Sequence, residues 1–246
     1  MLCQRTGMKK VFFSNSGAEA NETAIKAARE YASIHKGADC YTIVTLNNSF
    51  HGRTLATLAA TGQEKYHQHF GPMPQGFVNI DATPEALEEV VTTTKVAGIL
   101  FETVQGEGGI LPLAPEFLTA MVKTAQENDI VLIADEVQCG NSRSGKLYAY
   151  MQYGLKPDIV TTAKGIGCGL PIGVTMLREK VQDVFTPGMN GPTFWGNPAA
   201  CAGAVNILGR IDDQLMAEVE EKSKCIFGQL TGAKGVESVS GLGLPA

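Results

Sequence analysis

Short apolar runs alternate with amphipathic segments along most of the chain. Compact apolar and β-branched runs predict buried strands at positions 11–14, 41–46, 96–101, 130–134, 159–162 and 172–177. Apolar residues at helical spacing predict helices over 16–31, 84–91, 115–125, 198–211 and 213–230. This regular alternation predicts an α/β fold with a mostly parallel central sheet and helices on both faces.

Local end signals support the predicted helices. Ser16 and Glu19 have the spacing of a capping box, and Pro84 stands at the first position of the next long helix. Residues 62–76, which include Pro72 and Pro74, fit neither period and are predicted to be a surface excursion without assigned chemistry. Residues 236–246 resemble the opening of one more strand unit.

The polar segments that could carry chemistry follow predicted strands. They are NNSFHGRT after 41–46, ETVQGEGG after 96–101, the pair Asp135-Glu136 after 130–134, and AKGIGCG after 159–162. Ligands of open α/β sheets bind outside the carboxyl ends of the strands. We therefore expect the functional site in these segments.

One lysine, Lys164, lies in a glycine-rich loop after a strand, where an amine can meet a ligand. Asp135 ends an apolar strand, and an ionised carboxylate there needs a cation or strong hydrogen-bond donors. From these two residues alone, a structural salt bridge and a catalytic pair are equally good interpretations.

Three further features favour the catalytic pair over the structural salt bridge. The helix start at Ser16, Gly17 and Ala18 offers free N–H groups to a phosphate. Phe50 offers a flat apolar face, and Arg53 a guanidinium that can bind a carboxylate. Together with a buried acid and a loop lysine, these features suit a phosphorylated pyridine aldehyde. The lysine forms a Schiff base with it, and the acid keeps the ring nitrogen protonated.

The composition and net charge indicate which classes of binding partner to expect. The 246 residues are 44% hydrophobic and 18% charged, as in an ordinary globular protein. The net charge of -5, without a basic block, argues against nucleic acid or an anionic membrane and favours a small-molecule substrate. Scattered cysteines without a C-x-x-C pair indicate a reducing cytoplasm, and no leader or membrane span is expected.

Two other kinds of site are disfavoured. His67 and His69 have no third ligand at a useful spacing, so no metal is expected. The segment GIGCGL superficially matches a dinucleotide fingerprint, but Leu170 occupies the third glycine position. Pro171 and a strand-like run then replace the helix that such a fingerprint requires.

Five motifs in order, SGAEANE, NSFHGRT, ETVQGEGG, ADEVQCG and TTAKGIGCGLPIG, resemble the class III pyridoxal-phosphate aminotransferases, most closely the acetylornithine aminotransferases. The resemblance implies an aspartate-aminotransferase-like large domain (fold type I) over 1–212 and the start of a small C-terminal domain over 213–246. It also implies pyridoxal 5'-phosphate as cofactor and a homodimer. The implied reaction transfers an amino group from N-acetylornithine to 2-oxoglutarate in arginine biosynthesis.

The resemblance also implies a role for each matching residue. Lys164 would be the Schiff-base lysine and proton carrier, and Asp135 the partner of the pyridinium nitrogen. Arg53 would hold the substrate carboxylate, and Glu107 would gate a second arginine. The remaining cofactor contacts would be phosphate binding by Gly17 and Ala18, ring stacking by Phe50, a contact of Gln138 with the phenolic oxygen, and phosphate binding by Thr193 from the second subunit.

Some features depart from the family pattern. Pro192 and Trp195 replace smaller residues and are expected to crowd the phosphate loop that contains Thr193. Ornithine and 4-aminobutyrate remain alternative donors, because the enzymes that use them share most of these motifs. Family members extend beyond both ends of this sequence, so a truncated, inactive chain that still binds the cofactor is the alternative from another class.

Overall fold

A seven-stranded sheet forms the centre of the computed structural model, which describes residues 1–244. Positions 245 and 246, the end of the predicted small-domain segment, lie outside the described residues. In chain order the sheet strands are β1 (Lys10–Ser14), β2 (Thr42–Leu46), β3 (Phe77–Ile80), β4 (Val96–Phe101), β7 (Val131–Asp135), β8 (Ile159–Thr162) and β9 (Gly173–Leu177). A separate small hairpin consists of β5 (Val104–Gln105) and β6 (Leu111–Pro112).

The strand order is β1-β9-β8-β7-β4-β2-β3. The five strands from β8 to β3 pair in parallel, whereas β9 is antiparallel to both of its neighbours, β8 and β1. The predicted mostly parallel sheet is therefore confirmed, with one reversed strand between β1 and β8.

Helices cover both faces of the sheet. They are α1 (Leu2–Thr6), α2 (Gly17–Lys36), α3 (Leu55–Ala60), α4 (Pro84–Thr93), α5 (Pro115–Glu127), α6 (Pro198–Arg210) and α7 (Asp213–Leu230). Alternate residues of β7 enter different apolar clusters, with Val131 and Ile133 beside α2, and Leu132 beside α5. Burial on both faces explains why the central strands read as continuous apolar runs.

Helix α2 begins where its capping signal predicted. Ser16 Oγ accepts a hydrogen bond from the Glu19 backbone N–H at 3.2 Å. The Glu19 carboxylate accepts hydrogen bonds from the backbone N–H and the side-chain amide of Asn15, at 2.6 and 2.9 Å. In a standard capping box it would accept from the N-cap residue, here Ser16, which is one position further along the chain. This cap fixes the first turn of α2 at the edge of the sheet.

The sequence patterns missed five short elements, α1, α3, β3, β5 and β6, and overstated one. Helix α3 follows the polar turn after β2, and its six residues are too few to show a helical period. Strand β3 is a short edge strand paired only with β2. The strand unit expected near the end is absent from residues 236–244.

The division of the chain at residue 212 stays a prediction. Helix α7 is capped by Asp212, whose Oδ1 accepts from the Leu215 backbone N–H at 2.8 Å. Across residues 1–244, no helix combines the length and apolar character needed to cross a bilayer.

Candidate active site

A cavity of about 590 Å³ opens at the carboxyl ends of the parallel strands. Its walls come from the first turn of α2, the loop after β2, the ends of β4 and β7, and the loop after β8. Because β8, β7, β4 and β2 are consecutive neighbours in the sheet, segments far apart in sequence meet here. The volume is within the usual range for a small-molecule site.

The cavity gathers most of the predicted site residues. Those in its wall are Gly17, Ala18, Phe50, Arg53, Asp135, Gln138 and Lys164. The other two predicted residues are exposed and lie outside the wall: Glu107 in the turn between β5 and β6, and Thr193 in the segment between β9 and α6.

Asp135 is buried at the end of β7 and is held by three donors. Its Oδ2 accepts from Asn21 Nδ2 at 2.7 Å and lies 2.8 Å from His51 Nδ1. Its Oδ1 accepts from the Val137 backbone N–H at 2.9 Å. Among the described residues, the basic side chain in contact with Asp135 is therefore the His51 imidazole, and the salt bridge to Lys164, one of the two sequence interpretations, is not formed.

Sequence reasoning missed Asn21 and His51. The Asn21 side chain also donates to the His51 carbonyl at 2.8 Å and accepts from Thr161 Oγ1 at 2.7 Å, so it joins α2, β8 and the loop after β2. A signal was available, because Asn21 lies next to Ala20 and Ala24 on the apolar side of α2. A buried amide in such a position has to be hydrogen-bonded.

Lys164 directly follows β8 and has a left-handed backbone, with φ of 45°. This conformation is uncommon for a residue with a side chain and often accompanies functional sites. The side chain is exposed to the cavity, and Nζ donates a hydrogen bond to Gln138 Oε1. The amine is thus held at the cavity wall close to β7, without being buried.

The helix start at the cavity is closely packed. A Cβ atom on Gly17 would lie 2.6 Å from Val137 Cγ1, so only glycine lets α2 approach the segment after β7. Gly52 has φ of 140°, and a Cβ atom there would lie 2.9 Å from the Ala18 Cβ. The first-turn N–H groups of Gly17 and Ala18 have no intrahelical acceptor, and both residues lie in the cavity wall.

A second buried acid, Glu102, lies in the cavity wall and was also missed. Its Oε2 accepts from the Phe50 backbone N–H at 2.9 Å, which holds the loop that carries the Phe50 ring. Burial, and then the negative charge of Asp135, raise the pKa of Glu102 well above its usual range. The Lys164 charge and two backbone N–H groups act in the opposite direction.

These residues fit a phosphorylated pyridine aldehyde. The first turn of α2 can bind the phosphate, Phe50 offers a face to the ring, Asp135 presents a buried carboxylate, and Lys164 presents an amine. No cluster of three or more metal-ligating side chains occurs within residues 1–244. His67 Nε2 instead lies 2.9 and 2.8 Å from the carbonyls of Leu58 and Thr61.

The sequence model of the aminotransferase class-III family matches residues 1–244. The chain therefore belongs to the class III aminotransferases, and this family implies pyridoxal phosphate as the cofactor.

Two curated relatives are similar to this chain over most of its length. The chain is 46% identical over 244 residues to an acetylornithine aminotransferase of Haemophilus ducreyi, covering 99% of this chain and 62% of that protein. It is 49% identical over 226 residues to an acetylornithine aminotransferase of Caldanaerobacter subterraneus subsp. tengcongensis, covering 91% of this chain and 57% of the relative. The chain thus spans about three fifths of the length of these curated relatives.

A solved structure matches the fold. The ornithine aminotransferase of Toxoplasma gondii, in a structure with partial occupancy of PLP at its active site, superposes with a TM-score of 0.91 and 33% identity. The match covers 98% of this chain and 60% of the other. It confirms the predicted fold type I α/β architecture.

Behind Asp135, the next residue, Glu136, is fully buried outside the cavity wall. It accepts from the backbone N–H groups of Ala149 and Tyr150 at 2.9 and 2.8 Å, and from Cys139 Sγ at 3.3 Å. Burial outweighs these donors and raises the pKa of Glu136 to about 7. Glu136 therefore ties the segment at 149–150 to the end of β7.

This raised pKa predicts a pH-dependent stability. The folded protein holds the Glu136 proton more tightly than the unfolded chain, so this contribution is complete below about pH 4.5 and is lost as the pH rises through about 7. Between about pH 5 and about pH 8, the free energy of unfolding should fall by roughly 2 to 3 kcal/mol more in wild type than in Glu136→Gln. Urea denaturation at several pH values measures this difference.

Glu89→Gln provides the matched control, because Glu89 is exposed on α4. Its pH profile should match that of wild type. If Glu136→Gln keeps the wild-type slope as well, the buried carboxyl is not the group that titrates.

Proposed function

We propose that this chain forms the cofactor site of an aminotransferase that moves an amino group from N-acetylornithine to 2-oxoglutarate, in arginine biosynthesis. The observation that carries the proposal is the meeting of Lys164, Asp135, Phe50 and the α2 first turn in one cavity. The choice of donor is supported by relatives named acetylornithine aminotransferase, at 46% and 49% identity.

Each residue has a physical task in this proposal. When bound, pyridoxal phosphate supplies an aldehyde carbon that bonds to amines and a ring that accepts electron density. Asp135, fixed by Asn21, His51 and the Val137 N–H, stabilises a proton on the ring nitrogen. Lys164 Nζ would hold the cofactor through its aldehyde and would move a proton to and from the donor carbon.

In this proposal, the other site residues bind and orient the cofactor and the substrates. The N–H groups of Gly17 and Ala18 would bind the phosphate, and Phe50, also in the cavity wall, would offer its ring to the cofactor. Gln138, already hydrogen-bonded to Lys164, donates to the phenolic oxygen. Glu107, exposed in the β5–β6 turn, is proposed to gate an arginine that binds the second substrate.

Replacing Lys164 with alanine should abolish covalent attachment of the cofactor, because no other wall residue carries an amine. Wild-type protein incubated with pyridoxal phosphate and borohydride should show the label on the peptide that contains position 164. Peptide mass mapping locates it. Lys156→Ala, which removes an exposed lysine outside the cavity wall, is the control and should label like wild type. A label elsewhere, or none on folded wild type, contradicts the proposed role.

Arg53 is the proposed ligand of the donor carboxylate. Arg53→Ala should raise the KM for N-acetylornithine at least about tenfold, the range expected for loss of a charge-assisted hydrogen bond. Steady-state kinetics with 2-oxoglutarate as acceptor measures the change. An unchanged KM rules out this role for Arg53.

Ornithine is the second candidate donor, favoured by the structural match to the Toxoplasma gondii ornithine aminotransferase. The values of kcat/KM for N-acetylornithine and ornithine, measured in the same assay, show which of the two is the preferred donor. Cofactor labelling without transfer from either donor would instead identify a chain that binds the cofactor but is inactive.

We also propose a homodimer in which Thr193 contacts the phosphate bound to the partner subunit. Thr193 lies outside its own cavity wall, beside the exposed rings of Phe194 and Trp195, which are 70% and 56% accessible. Trp195 stacks on Phe12 at 5.6 Å between ring centroids, which places this segment over the outer strand β1. A cytoplasmic location stays a prediction, supported by six cysteines that form no disulfide within residues 1–244.

The single tryptophan makes this proposal testable. Dimer formation should bury Trp195, so its emission should shift to shorter wavelength, and acrylamide quenching should fall, as the protein concentration rises through the dimer dissociation constant. Analytical ultracentrifugation gives the mass over the same range. A mass that doubles while Trp195 emission stays unchanged would place the interface elsewhere.

A further inference from the structure

The excursion at 62–76, to which the sequence assigned no function, contributes an aromatic ring beside the cavity. Tyr66 lies in a short 3-10 turn, Glu64–Tyr66. Its ring meets the Phe50 ring edge-on, with centroids 5.5 Å apart and planes at 70°. The Arg53 guanidinium carbon lies 5.1 Å from the Tyr66 centroid and 5.6 Å from the Phe50 centroid. One guanidinium is therefore shared between two rings.

The turn that carries Tyr66 is tied to the loop after β2. The Gly62 N–H donates to Ser49 Oγ at 3.1 Å, and Gln63 Nε2 donates to the Ser49 carbonyl at 3.0 Å. On the other side of Tyr66, His67 Nε2 lies within 2.9 Å of two carbonyls, those of Leu58 and Thr61. The backbone is thus attached on both sides of Tyr66, and the ring has a defined position.

Arg53 has no carboxylate partner among residues 1–244. Contact between a guanidinium and aromatic rings stabilises the cation but uses none of its N–H donors as strong hydrogen bonds. Those donors remain available to a carboxylate. An acidic partner would neutralise the charge of Arg53. The two aromatic rings instead hold the guanidinium in place and leave its charge available.

We propose that Tyr66 is a positioning residue for donor specificity, which holds the Arg53 guanidinium at the cavity wall for the carboxylate of the amino donor. The inference rests on the proposed function, because it assigns Arg53 to that carboxylate. Tyr66 acts through Arg53 and is itself outside the cavity wall.

The contribution of the Tyr66 ring sets the size of the effect. Loss of one exposed cation–π contact corresponds to about a two- to fivefold change in affinity. Tyr66→Leu should raise the KM for N-acetylornithine by that factor and leave kcat unchanged. With N-(4-aminobutyl)acetamide, the same amine without the carboxylate, Tyr66→Leu and wild type should have equal KM. A defect shared by both donors would indicate a general structural role and overturn the proposal.

Two matched variants test the chemistry of the contact. Tyr66→Phe keeps the ring and should behave like wild type. Lys65→Ala removes the other cation near this ring, 4.9 Å from its centroid and outside the cavity wall, and should leave the KM unchanged. Thermal unfolding of each variant confirms that it is folded. A raised KM in Tyr66→Phe equal to that in Tyr66→Leu would overturn the role of the ring.

A double variant tests whether Tyr66 acts through Arg53. In the Arg53→Ala background, Tyr66→Leu should cause no further rise in KM, because the guanidinium it positions is gone. Additive effects would overturn the inference.

A binding experiment separates this inference from the proposed reaction. N-acetyl-L-norvaline has the carboxylate and acetamide of the donor but no amine, so it binds without reacting. Its dissociation constant for the cofactor-loaded protein, measured by calorimetry, should rise about two- to fivefold in Tyr66→Leu. If wild type binds this probe but transfers no amino group, the proposed function fails while the positioning role stands. Equal affinities in wild type and variant, or no binding to wild type, overturn the positioning role.

Discussion

The hydrogen bonds to the buried Asp135 carboxylate organise the whole site. A carboxylate at the end of an apolar strand is costly unless donors surround it. Here the donors come from α2, from the loop after β2 and from the backbone just beyond β7. Satisfying one acid therefore brings together the helix start, the ring-bearing loop and the central strand. The same bonds leave the carboxylate in the cavity wall.

The reversed strand β9 explains why the whole loop that contains Lys164 stays at the cavity. Parallel neighbours need a crossover that returns the chain to the opposite edge of the sheet, whereas antiparallel neighbours can be joined by a loop at one edge. Because β9 runs antiparallel to β8, the loop from 163 to 172 stays at the carboxyl ends of the parallel strands. Lys164 lies beside the end of β7 because it directly follows β8, the parallel neighbour of β7, and the direction of β9 keeps the rest of the loop in the cavity wall without a helix after GIGCGL.

Two buried acids, Glu102 in the cavity wall and Glu136 outside it, hold segments of the site in place. Each accepts backbone N–H groups from a loop: Glu102 from the loop with Phe50, and Glu136 from the segment at 149–150. Burial raises the pKa of both, so the carboxyls that order the site are also sensitive to proton concentration. The Tyr66 ring lies beside the Arg53 guanidinium, where it can hold Arg53 without neutralising its charge.

The sequence by itself determined the α/β alternation, the capped start of α2, and the polar segments at the strand ends, because apolar periodicity and end signals are local. Lys164 and Asp135 could be found in this way, since each stands where a predicted strand ends. Their partners could not: Asn21 and His51 are 114 and 84 positions away from Asp135. The direction of β9 and the contact of Tyr66 with Arg53 were likewise decided by tertiary structure. Strand order determines which loops become neighbours, and no local pattern encodes strand order.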